Sequence, residues 1–108
     1  MTDASPARVT VSRTADTDVR QRQVIVSVDQ GRKATLLFGE SVTFDVEPGE
    51  HRLKANNTLV WKSVPFTVAS GERVAFVVSN RATRLTLGFL SLLGVAPLYL
   101  TIERRPPA

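Results

Sequence analysis

Between residues 24 and 78 the apolar side chains fall at every second position. Val24, Val26 and Val28 alternate with Ile25, Ser27 and Asp29, and in KATLLF Thr35 and Leu37 share one face. Val42, Phe44 and Val46 alternate with Thr43, Asp45 and Glu47, and Leu53 and Ala55 alternate with Arg52, Lys54 and Asn56. Val64, Phe66 and Val68 then alternate with Pro65 and Thr67, and Val74, Phe76 and Val78 with Arg73, Ala75 and Val77. Successive side chains of a strand point to opposite faces, so this period of two predicts strands with one face on a core. Six such runs precede residue 80. A seventh, PLYLTIE, places Leu98, Leu100 and Ile102 on one face and Tyr99 and Thr101 on the other.

Turn residues separate the runs: Asp29-Gln30-Gly31, Phe38-Gly39-Glu40, Glu47-Pro48-Gly49-Glu50, Asn56-Asn57, Ser70-Gly71-Glu72 and Ser79-Asn80. Pro48 followed by Gly49 suits a type II turn, because glycine takes a positive φ without steric cost. Short strands joined by such turns predict an all-β fold, an antiparallel β-sandwich of about seven strands. One run breaks parity. In TLVWKSVPF, Leu59 and Trp61 lie opposite Val60, Val64, Phe66 and Val68, and Pro65 removes a donor. A bulge or a sheet edge is expected near Ser63, with Trp61 a candidate exposed aromatic. A buried tryptophan with its indole N–H satisfied is the competing expectation.

The pattern then changes. Leu85 to Ile102, LTLGFLSLLGVAPLYLTI, is an 18-residue stretch without a charge. As one helix it would reach ~27 Å, just short of a ~30 Å hydrocarbon core. Gly88, Gly94 and Pro97 interrupt it, and a full span would remove the last strand from the domain. The preferred expectation is an apolar helical or loop insertion over 85–97 before that strand. It is apolar nearly all round, so it needs cover on every side. Either it packs in the core, or it docks on a membrane surface or on a second copy of the chain through Leu87, Phe89, Leu90, Leu92, Leu93 and Tyr99.

Charge sharpens this picture. The net charge of the 108-residue chain is +4. Residues 1–72 hold nine Lys or Arg and nine Asp or Glu, whereas residues 73–108 hold five arginines against Glu103 alone. Arg81, Arg84, Arg104 and Arg105 bracket the apolar stretch in sequence, which suits contact with an anionic surface. Solvated arginines that keep an apolar stretch soluble are the alternative. Residues 1–18 read as a disordered N-terminal tail without a secretory pattern, 19–104 as a single domain, and 105–108 as a second tail. A cytoplasmic protein, peripheral at the inner face of a membrane, is the expected setting.

Catalytic chemistry is scarce. There is no cysteine and one histidine, so transition-metal sites and cysteine nucleophiles are not expected. His51 begins a strand, and its neighbour Glu50 points to the opposite face, so the two form no dyad. A turn or packing role is expected for it. No glycine-rich phosphate loop is present, the acids lack calcium-loop spacing, and no cofactor site is expected. The inward parity of Phe38, Phe44, Phe66 and Phe76 argues against a nucleic-acid platform, and no nucleic-acid partner is expected.

The unit VSVDQGRKATLLFGESVTFDVEPGEHRLKANN resembles the PEGA-type and transthyretin-like β-sandwich modules of bacterial proteins. The likeness lies in a strand ending at Asp29-x-Gly31 and in Val46-x-Pro48-Gly49-Glu50-His51-Arg52-Leu53. It covers roughly Val24 to Val78, departs from those modules at Gly39-Glu40, and does not account for the apolar stretch. The resemblance implies a non-enzymatic binding or spacer unit. Two functional expectations follow: docking or self-association through the arginine-flanked segment, or ligand or protein binding on a sheet face with that segment wholly in the core.

Overall fold

The structure is a computed structural model that describes residues 6–16, 18, 20, 23–58, 60–81 and 99–106. These form eight strands: β1 Ala7–Ser12, β2 Val24–Val28, β3 Ala34–Leu36, β4 Ser41–Val46, β5 Gly49–Asn56, β6 Trp61–Val68, β7 Arg73–Arg81 and β8 Tyr99–Arg105. They make two four-stranded sheets, ordered β4-β1-β7-β8 and β3-β2-β5-β6. The fold is all-β and sandwich-like. Phe66 of the second sheet meets Phe76 of the first edge-on, with ring centroids 5.3 Å apart.

Seven of the strands are the seven alternating runs, and the eighth corrects the expectation of a tail over 1–18. Ala7, Val9 and Val11 of β1 are fully buried, and Arg8, Thr10 and Ser12 point away from the core. The short alternation in ARVTVS was diluted by the Ser, Thr, Asp and Pro around it. β1 lies inside its sheet, antiparallel to β4 and parallel to β7. The sheet is therefore mixed, which corrects the purely antiparallel expectation. Ser79-Asn80 is a second correction. Both are buried within β7, where Ser79 Oγ lies 2.6 Å from Thr101 Oγ1 and Asn57 Nδ2 donates to Asn80 Oδ1 at 3.0 Å. Buried polar groups need such partners, and the second bond joins the β5–β6 turn to the opposite sheet.

The chain beyond β1 is also fixed. The Arg13 side chain is buried with Asp18: Nε donates to Oδ2 at 2.8 Å and Nη2 to Oδ1 at 3.2 Å. Its Nη1 donates to the Leu36 carbonyl of β3 at 3.0 Å, which ties the end of β1 to the second sheet. At the opposite chain end β8 runs to Arg105, so the strand takes up the first residue assigned to the C-terminal tail. Gly49 takes φ +129°, in the positive region that the Pro48-Gly49 pair anticipates.

Candidate functional site

On the outer face of the second sheet the register aligns two rows of side chains. Ile25 of β2, Asn56 of β5 and Trp61 of β6 form one row, and Ser27, Lys54 and Ser63 form the next. Trp61 shares the outward parity of Ser63 and Thr67, whereas Phe66 and Val68 enter the core. Its side chain is 70% exposed, so the competing expectation of a buried tryptophan does not hold. With Lys33 and Lys62 these residues line an open groove of about 530 Å³. Lys33, Lys54 and Lys62 have no ion-pair partner among the described residues.

The irregularity near Ser63 is an edge and not a bulge. β6 is the last strand of its sheet and pairs with β5 in unbroken register from Trp61 to Val68. The backbone explains how Pro65 fits. Arg52, opposite Pro65, donates its N–H to Asp29 Oδ1 at 2.8 Å and accepts from the Asp29 N–H at 2.7 Å. Its polar backbone thus faces β2, and Pro65 sits in a pair that needs no donor from it. A proline on the open side of an edge strand also blunts pairing with another chain.

Asp29 closes one end of the groove, yet its charge is already committed. His51 Nδ1 lies 2.7 Å from Asp29 Oδ2, and Nε2 lies 2.6 Å from the Glu47 carbonyl oxygen. Both partners are acceptors, so a ring making both bonds carries both protons. The Asp29 hydrogen bond foremost, then the Glu47 carbonyl, raises the His51 pKa above its ordinary value against partial burial. The His51 bond foremost holds Asp29 below its ordinary range, with help from the Arg52 N–H and the nearby Lys54. The three lysines therefore set the sign of the field over the groove. A turn or packing role is expected for His51: the Glu47 bond spans the Pro48-Gly49 turn, and the ring lies 5.7 Å from that of Phe66. The acid partner of His51, 22 residues away, was not visible in the sequence, although Asp29 and His51 both belong to the motif that carries the PEGA-type resemblance.

Of the arginines assigned to an anionic surface, Arg81 is parted from Arg104 and Arg105. Arg81 ends β7 opposite Tyr99, the first residue of β8. Arg104 and Arg105 are carried along β8 to positions opposite Phe76 and Ala75. Five residues of strand place Arg104 ~17 Å from Tyr99. Arg81 and Arg105 both pair with Glu103, at 3.2 and 2.7 Å, and Arg104 lies 3.9 Å from Glu72. Arg84, Leu87, Phe89, Leu90, Leu92, Leu93 and the insertion over 85–97 lie outside the described residues. Among the described residues no cluster of three metal-ligating side chains occurs, and no helix is long and apolar enough to cross a membrane. No protein-family model matches the chain, and no curated protein matches it.

Proposed function

We propose that the protein is a non-enzymatic binding module that takes an acidic protein segment on the outer face of its second sheet. One observation carries this reading: an exposed tryptophan beside three lysines without an ion-pair partner among the described residues, over a groove of about 530 Å³. Lysines supply the field that draws in carboxylates, Ser27, Asn56 and Ser63 offer hydrogen bonds, and Trp61 offers an apolar contact with few rotamers to freeze. A hydrolytic role is disfavoured, because both ring nitrogens of His51 are engaged and no lone pair is left for a general base. The PEGA-type resemblance points the same way. Trp61 is the sole tryptophan, so its fluorescence reports on the groove directly. Titration with poly-L-glutamate at low salt should give a saturable change that Lys54→Glu weakens about tenfold. No response, or a response untouched by Lys54→Glu, ends the proposal.

Docking through residues 85–97 is a second reading, favoured by the ladder between β7 and β8. Arg81 and Tyr99 are cross-strand neighbours. A single membrane crossing by the residues between them would pull apart a pair that the sheet holds together. Contact with one leaflet, or with a second copy, is the form of docking that keeps the ladder. Co-sedimentation with phosphatidylglycerol vesicles and the oligomeric state at low salt test it, with Leu90→Asp as the variant. A monodisperse monomer that ignores the vesicles removes this reading. A Leu90→Asp chain that fails to fold supports the core assignment instead.

A further inference from the structure

The outer face of the first sheet has a second cationic site of different chemistry. Arg8 of β1 lies directly opposite Arg73 of β7, and Arg105 of β8 lies opposite Ala75, one outward position further along β7. Three neighbouring strands thus bring three guanidinium groups around a floor of small side chains, Thr10 and Ala75. The shallow groove they line has a volume of about 460 Å³. Like charges directly opposite one another oppose sheet formation. The available acids offset this incompletely. Arg8 has Asp45 at 3.5 Å, an exposed pair, and Arg105 shares Glu103 with Arg81. Arg73 has no ion-pair partner among the described residues. An interior strand, β7, thus opens on an exposed charge with a like charge across the ladder.

We propose that Arg8, Arg73 and Arg105 bind a phosphate-class oxyanion, a dianionic phosphomonoester or inorganic phosphate, independently of the lysine groove. The guanidinium fork matches paired oxygens, and a tetrahedral dianion presents enough acceptor edges for three forks at once, whereas a carboxylate presents two oxygens. Thr10 and Thr43, whose hydroxyl oxygens lie 3.1 Å apart, border the floor. Arg73 is eight residues along β7 from Arg81, ~26 Å in an extended strand. A bilayer holding residues 82–98 at the Arg81 end would therefore not bring its headgroups to these arginines, so the ligand is a soluble phosphate.

Arginine side-chain N–H signals, followed by NMR, test the assignment with inorganic phosphate as the probe. The Nε–H signals of Arg8, Arg73 and Arg105 should move together and saturate with a Kd of about 1 mM, and sulfate but not chloride should compete. Arg73→Gln should weaken binding about tenfold and leave the ligand-free melting temperature unchanged or raised, because a repelling charge is gone. Arg105→Gln, at the end of an edge strand, should weaken it similarly. The absence of saturation, unaltered affinity in both variants, or a lowered melting temperature in Arg73→Gln overturns the proposal. So does a response to phosphatidic acid vesicles, over phosphatidylcholine vesicles, without a response to free phosphate.

Discussion

The two outer faces of this small protein carry similar charge and arrange it differently. On the second sheet the cations of the groove are lysines, none paired with an acid among the described residues, gathered about a tryptophan. On the first they are arginines, paired with Asp45 and Glu103 except at Arg73. Lysine is a mobile, strongly hydrated point charge that attracts at a distance, and arginine is a fork that selects oxygen geometry at contact. The same net sign therefore serves two recognition modes, and strand register decides which cations meet. The faces share one core, joined across the sheets by Arg13 and by the Asn57–Asn80 bond.

The strongest test of that shared support is Asp18→Ala. It leaves the Arg13 guanidinium buried without its carboxylate, which should cost about 3–5 kcal/mol. Chemical denaturation should then show both faces losing ligand at one midpoint. If the tryptophan face and the arginine face melt separately, the common core is wrong. Next in size, Lys54→Glu should weaken the Trp61 response about tenfold, near 1.4 kcal/mol, without altering phosphate binding at Arg73. Coupled loss at both faces would mean that they are one site.

Salt should separate the faces further. Raising ionic strength from about 0.1 M to about 1 M shortens the screening length from ~10 to ~3 Å. Affinity at the lysine groove should fall more steeply than affinity at the arginine site, measured with a chloride salt. Parallel slopes would contradict the distinction between field and fork.

The smallest effect concerns pH. The His51 pKa is raised above 6.5, so its bond to Asp29 stabilises fully below that value and is lost as pH rises through the folded-state pKa. The Asp29 pKa is lowered, so its contribution is present above 3.8 and is lost as pH falls through the lower folded value. Stability from this clamp should therefore peak between the two. The pair is partly exposed, and its amplitude should stay below about 1 kcal/mol. Thermal melts of the protein and of His51→Asn across this range should converge at alkaline pH. A constant difference between them would show that the ring acts by packing alone.

Much of the architecture was legible in residue order. Alternation located seven strands, and parity set Trp61 opposite the core residues of its own run. β1 was legible too, in ARVTVS, but only to a window as short as the strand. The candidate sites were less so. Trp61 and His51 stood out as single residues, whereas Lys33, Lys54 and Lys62 are far apart within residues 1–72, where cations and acids are equal in number. Arg8 and Arg73 are 65 residues apart in the sequence and meet because β1 enters the sheet parallel to β7. Nearness in sequence also misled: Arg104 reads as a flank of the apolar stretch, yet an extended strand carries it away.

Residue order by itself determined which side chains face the core, because successive Cβ atoms of a strand alternate whatever its neighbours are. Tertiary structure alone decided which strands adjoin, and so which charges share a surface. That choice is made by burial of the apolar faces as a set. The outward residues are carried to their partners by a pairing they do little to select.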